Sequence, residues 1–346
     1  MPDRSTFRRT ISTQDSALSA RIVRRVMMHY AGGADDENDR PAFVRAASSM
    51  AWVGTRVALV QDDVNFVALV DPTTGLADAI TLPAGKENLR QFDDGRGNKK
   101  YKLDLEAMAR VPVPGGMRLV AFGSGSKKRR ENVMSLAFRG TAALFTPQVP
   151  SLVALPALYA KLRAEQTFAG SEMNIEGALY IDGVIRLFGR GNGASSDELH
   201  PLDATCDLNW RTLQAHIAAP DDAPVPDMTR ITQYELGAID GVRLGFTDAI
   251  PMGRSQVMYS AAAEASRDAS ADGDVGGSAL GVIPTDRRKP ARWTLIRDEG
   301  GAPFEGKVEG LVLDPRDATR ALIVVDVDDH TRPSELCEVV LGGPWR

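Results

Sequence analysis

The chain has 346 residues, 43% of them hydrophobic and 25% charged, with a formal net charge of −5 and a pI near 5.5. That hydrophobic content is typical of a folded protein able to bury a core, and the acidic balance excludes a chain built to grip a nucleic-acid backbone, which needs a basic face. Two cysteines, Cys206 and Cys337, are too few for a disulfide framework or a cysteine-ligated zinc site, and no apolar run of about 18 residues is present to span a bilayer.

In chain order, residues 1–15 are polar and expected to be loose. Ala17 to Tyr30 is open to a short helix or, on Ile22, Val23, Val26 and Met28, to a strand, with the strand preferred, and Gly32 to Pro41 reads as an acidic connector. Residues 1–40 are therefore set apart as an N-terminal segment, partly flexible, whose strand is placed to complete the last sheet. Residues 41–346 are expected to form one domain. No apolar stretch precedes a small-residue cleavage site, so the expected location is the cytoplasm, with neither membrane nor nucleic acid as a partner.

From residue 41 onward the pattern repeats: short apolar runs joined by turns. Arg56 to Val60, Phe66 to Val70 and Ala79 to Leu82 form one unit, and Leu103 to Arg110, Arg118 to Gly123, Val133 to Phe138 and Gly140 to Phe145 a second. The third pairs Gly177 to Ile181 with Val184 to Gly189 through Asp182-Gly183, a strong hairpin signal. The fourth comprises Thr247 to Pro251, Gln256 to Ala261, Ala279 to Ile283 and Arg292 to Ile296, and the fifth Val308 to Leu313, Ala321 to Val327 and Leu336 to Leu341. Such units, repeated every 50 to 70 residues or so, predict an all-β fold, a single β-propeller of five blades. A sixth blade within Arg139 to Ala169 is the alternative count, although Ser151 to Glu165 reads better as a short helix. A sandwich is the competing all-β architecture.

A polar phrase heads each unit: Ser48-Ser49-Met50-Ala51, Asp104-Leu105-Glu106-Ala107, Asn174-Ile175-Glu176-Gly177, Phe246-Thr247-Asp248-Ala249 and Lys307-Val308-Glu309-Gly310. Placed on the innermost strands, Ser49, Glu106, Glu176, Asp248 and Glu309 would converge on the central channel. Their carboxylates would repel one another there unless a cation lay among them. Oxygen ligands without histidine or cysteine favour calcium, with magnesium second. Alternatively, these residues are turn entries hydrogen-bonded to backbone amides.

This series resembles the five-bladed calcium-activated nucleotidases, or apyrases, which set a Ser, Glu, Glu, Ser, Glu series, one per blade, around a central calcium. The separations of 57, 70, 72 and 61 residues are similar to one ligand per blade, with Asp248 in place of the second serine. The Glu-Gly phrase is also similar to those of bacterial phytase-like and esterase-like propellers, and the chain looks like a member of an uncharacterised bacterial propeller family related to them.

Two basic loops could meet an anionic substrate: Gly123 to Arg130, carrying Lys128, Arg129 and Arg130, and Gly189 to Gly193, carrying Arg190 and Asn192. Lys307, two residues before Glu309, points to the same side of its strand. Glu264 and Asp326 end central strands and are candidate general bases. The leading expectation is a calcium-dependent hydrolase of a phosphate ester or anhydride, or of a lactone or other ester, acting on a small anionic substrate. The alternative is a non-catalytic propeller that binds a ligand or a protein and carries calcium as a structural staple.

Overall fold

Short runs rich in valine, alanine and leucine, bounded by glycine and aspartate turns, pair here as antiparallel meanders, because each run can bury its side chains only against a neighbouring strand or sheet. The computed structural model describes residues 7–346 apart from 142, 143, 197, 266–272, 274, 287 and 288. Residues 1–6 of the segment expected to be loose, and two residues of the expected strand Gly140 to Phe145, lie outside the described residues.

Three strands come first: β1 (Arg8–Gln14), β2 (Ser19–Met27) and β3 (His29–Tyr30). The first sheet is the meander β4 (Ala47–Val53), β5 (Arg56–Gln61), β6 (Phe66–Val70) and β7 (Leu76–Thr81), edged by β3. The second runs β8 (Leu105–Val113), β9 (Gly116–Gly123) and β10 (Asn132–Thr141), whose far edge pairs with β11 (Leu144–Pro147) and β12 (Ser151–Ala154). After helices α1 (Pro156–Ala164) and α2 (Gln166–Ala169) comes the third: β13 (Ile175–Ile181), β14 (Val184–Gly189), β15 (Asp203–Asn209) and, beyond α3 (Trp210–Ala218), β16 (Met228–Glu235). A short β17 (Ala238–Ile239) leads into the fourth: β18 (Val242–Met252), β19 (Gln256–Glu264), β20 (Val275–Pro284) and β21 (Ala291–Arg297). The fifth is β22 (Lys307–Leu313), β23 (Arg320–Asp326) and β24 (Glu335–Gly342), with β2 as its fourth strand, antiparallel to β24.

Two sequence expectations need correction. Residues 8–14 are not loose: β1 runs parallel to β16 through Arg8 to Ile11 and to β21 through Ser12 to Gln14, so backbone ladders hold a segment that has no apolar run of its own. Ser151 to Ala154 is an edge strand on β10, and the helix begins only at Pro156, whose fixed φ suits a first helical turn. Arg139 to Ala169 therefore holds edge strands and two short helices, with no further meander among the described residues.

The first strands of the five sheets touch in cyclic order: β4 with β8, β8 with β13, β13 with β18, β18 with β22, and β22 with β4. Five apolar cores lie between consecutive sheets. Leu119 and Phe138 pack with Val60 and Val67 between the first and second, and Val312 and Val324 with Met50 and Leu59 between the fifth and first. The molecule is thus mostly β and propeller-like, with its first strands at the centre.

Candidate functional site

Every one of those first strands breaks its pairing register, four of them near the start and β18 at its middle. The breaks fall between Leu105 and Ala107, Ile175 and Gly177, Phe246 and Asp248, Val308 and Gly310, and Ala47 and Met50. A bulge of this kind leaves one residue out of the ladder and re-aims its side chain. The displaced residues are Glu106, Glu176, Thr247 and Glu309, with Ser48 and Ser49 in β4. Glu106, Glu176, Glu309 and Ser48 line a single cavity of about 130 Å³.

Ser49 and Asp248 stand one position further along and are not in its lining. Ser49 Oγ accepts from the Met108 amide at 3.2 Å and donates to Asp248 Oδ2 at 3.2 Å; Asp248 Oδ2 accepts from the Leu311 amide at 3.1 Å and Oδ1 from the Ala249 amide at 2.8 Å. Both residues are fully buried, and desolvation holds the Asp248 carboxyl well above the usual range. They tie β4, β8, β18 and β22 together at the centre. The same crowding explains Gly310: a Cβ there would sit 2.9 Å from the Ser48 carbonyl oxygen.

The cavity is lined by twelve carboxylate side chains against five lysines and arginines. On one wall Lys102 Nζ lies 2.7 Å from Asp104 Oδ1 and also bonds Asp62, while Arg130 Nη1 lies 2.9 Å from Asp104 Oδ2. Asp104 sits at φ 59°, a left-handed conformation that aspartate adopts more readily than most side-chain-bearing residues and that Asp39, Asp182, Asp240 and Asp328 share. On the other wall Arg190 Nη2 donates to Glu264 Oε2 at 2.6 Å and its Nη1 lies 3.6 Å from Glu176 Oε1. Lys307 Nζ lies 3.1 Å from Glu309 Oε1 and 3.7 Å from Glu264 Oε2.

The surplus of acid shows in the proton affinities. Burial, reinforced by Asp104 and Glu176, pushes Glu106 well above the ordinary range, and burial pushes Glu176 up to about 8 despite Arg190 beside it. Asp326 is raised by burial and by Asp328, and Glu309 by burial in spite of Lys307. Glu309 Oε2 is buried without a hydrogen-bond partner. Oxygen atoms of Asp62, Asp104 and Glu106 all lie within 4.8 Å of one another.

The structure therefore gathers Glu106, Glu176, Glu309, Glu264, Asp326, Arg130, Arg190, Asn192 and Lys307 into one cavity. It does not gather Lys128 or Arg129: both are exposed, and the Arg129 guanidinium lies 4.9 Å from the centre of the Tyr101 ring. A ring of one oxygen per sheet around a single ion is not assembled, because Ser49 and Asp248 are bonded to amides and the Arg190 and Lys307 cations stand beside Glu176 and Glu309. Among the described residues the tightest group of carboxylate oxygens is that of Asp62, Asp104 and Glu106, of which Asp62 and Asp104 are paired with Lys102 and Asp104 also with Arg130; the unpartnered Glu309 Oε2 lies in the same cavity. Asp62 and Asp63 come from the β5–β6 turn within the first sheet and Lys102 from the loop between the first and second sheets, and no motif in the sequence marks them.

The sequence profile of a family of unknown function, DUF6929, matches residues 43–341. No curated protein sequence matches the chain. Among solved structures, glutaminyl cyclase of Myxococcus xanthus is similar over 98% of this chain and 100% of its own, at 9% identity and a TM-score of 0.44. A GH43 β-1,3-galactosidase is similar over 90% of this chain and 58% of its own, at 8% identity and a TM-score of 0.48. The WD40 β-propeller domain of Doa1 is similar over 92% of this chain and 96% of its own, at 8% identity and a TM-score of 0.35.

Proposed function

The chain belongs to this family of unknown function, and from its cavity we propose that it is a five-bladed β-propeller that binds a divalent cation, calcium before magnesium, and hydrolyses a small phosphate ester or anhydride, or a lactone or other ester, there. The cyclic contacts of the five first strands and the five cores between consecutive sheets support the blade count. The observation that carries the cation is the excess of twelve carboxylates over five basic side chains in one cavity, with three carboxylate oxygens converging at Asp62, Asp104 and Glu106. Such a surplus is tolerated only by protonation or by a bound cation, and oxygen-only donors suit calcium.

A divalent cation bound there would supply Lewis-acid polarisation of a substrate oxygen and activation of water. Asp62, Asp104 and Glu106 would hold it, in competition with Lys102, which pairs with Asp62 and Asp104. Glu176, with a proton affinity near neutrality, and Asp326, raised in the same direction, exchange the proton with the attacking water and the leaving group. Glu264 is the fixed partner of Arg190 and acts as a positioning residue. Arg190 and Lys307 face the substrate's charge.

Both cations are already paired with carboxylates, which favours a second reading: an ion that staples the cavity wall in a non-catalytic, ligand-binding propeller. Turnover of aryl phosphates and aryl esters separates the two. The hydrolase reading expects hydrolysis in calcium, none in chelator, and a large fall in kcat for Glu176→Gln with calcium affinity kept. Calcium binding without turnover of either substrate class supports the staple.

A further inference from the structure

We propose that a groove between the third and fourth sheets, apart from the acidic cavity, binds a small soluble polyanion with the chemistry of a phosphate or pyrophosphate group. The groove has a volume of about 490 Å³ and opens where β1 enters between β16 and β21. That volume falls within the usual range of small-molecule pockets. Its floor is internally paired: Arg186 holds Asp207 through two bonds of 2.6 and 2.9 Å, and Tyr234 Oη lies 3.4 Å from Thr205 Oγ1.

The rim is different. Arg230, Arg254 and Lys289 are exposed, line the groove together, and form no ion pair with any described residue. On a chain of net charge −5 this is a local inversion of sign. Two guanidinium forks and an ammonium around a hydroxyl-bearing wall match the several oxygens of a phosphoryl group better than a single carboxylate.

A second, independent observation concerns Arg230. It sits at φ 51°, in the left-handed region, at the register break of β16 between its pairings with Thr205 and Asp207. Glycine adopts that conformation without strain, whereas an arginine is held there against its preference. From this break Arg230 lines the groove with its side chain exposed, where it can meet an anion.

The test is calorimetric titration of the full chain with inorganic pyrophosphate, in chelator so that no divalent ion contributes. One saturable site is expected in the wild type, weakening as salt is raised. Arg254→Ala and Arg230→Gly should each lower affinity at least about tenfold, a loss of about 1.4 kcal/mol or more. Arg230→Gly should also melt no lower than the wild type, because glycine relieves the left-handed strain, so its loss of binding would not reflect misfolding. A wild type with no saturable binding, or variants that bind as the wild type does, overturns the proposal. Glu106→Gln should leave pyrophosphate affinity unchanged, which keeps this site distinct from the cation cavity.

Discussion

Glu176 makes the acidity of the cavity measurable as stability. Its carboxyl has a pKa of about 8 in the folded chain against 4.5 for an ordinary glutamate, so between those values the folded state keeps a proton that the unfolded state has lost. The contribution is complete below about pH 4.5 and disappears as pH rises through about 8. Asp63, pushed up to about 7, and Asp203, pushed up to about 6, act in the same direction, while the depressed Asp93 and Asp104 act below the window. In chelator the melting temperature should therefore fall as pH is raised from about 5 to 8; a flat or rising profile contradicts these proton affinities. The residue scale is also where sequence reading slipped by one position. The glutamates recur at one place in each unit and were legible, but a bulge adds a residue that no spacing reveals. Matching Phe246-Thr247-Asp248-Ala249 to Asn174-Ile175-Glu176-Gly177 by its acid set Asp248 opposite Glu176, whereas the ladder sets Thr247 there.

At the scale of elements, the N-terminal strands lace sheets that the rest of the chain leaves apart. β1 bridges β16 and β21, β2 supplies the outer strand of the fifth sheet and also touches β21, and β3 edges the first. Without them the outer strands of several sheets would present unpaired backbone groups. Deleting residues 1–14 removes β1 and leaves β2, and it should lower the melting temperature by at least about 2 °C; an unchanged melt would show that the β1 ladders contribute nothing. The strand character of Ala17 to Tyr30 could be read, with a short helix as the alternative, from its β-branched Ile22, Val23 and Val26. That of Arg8 to Gln14 could not, because its stability comes from parallel ladders on two distant strands rather than from its own side chains. The loops that bring Asp62, Asp63, Asp93 and Lys102 to the cavity were invisible for a related reason: turn residues between apolar runs look alike whether they face solvent or a shared channel.

Taken whole, the molecule sets five sheets with first strands in mutual contact and apolar cores between neighbours, so the polar phrases that start those strands meet at one end of the central axis. The repeat in the sequence was enough to read this architecture, since each unit carries its own turn signals and apolar runs. It could not show that Arg130, Arg190 and Lys307 would stand among the carboxylates rather than at a separate anionic subsite, because that depends on side-chain reach across sheets. The resulting cavity is acidic and partly neutralised, and the proposed divalent cation would complete the neutralisation. The most direct test is a calorimetric titration with calcium near pH 7.5 of the wild type and of Glu106→Gln. One calcium per chain, with affinity lowered at least about tenfold in the variant, is the predicted result; no calcium binding by the wild type, or equal affinity in both, would contradict it.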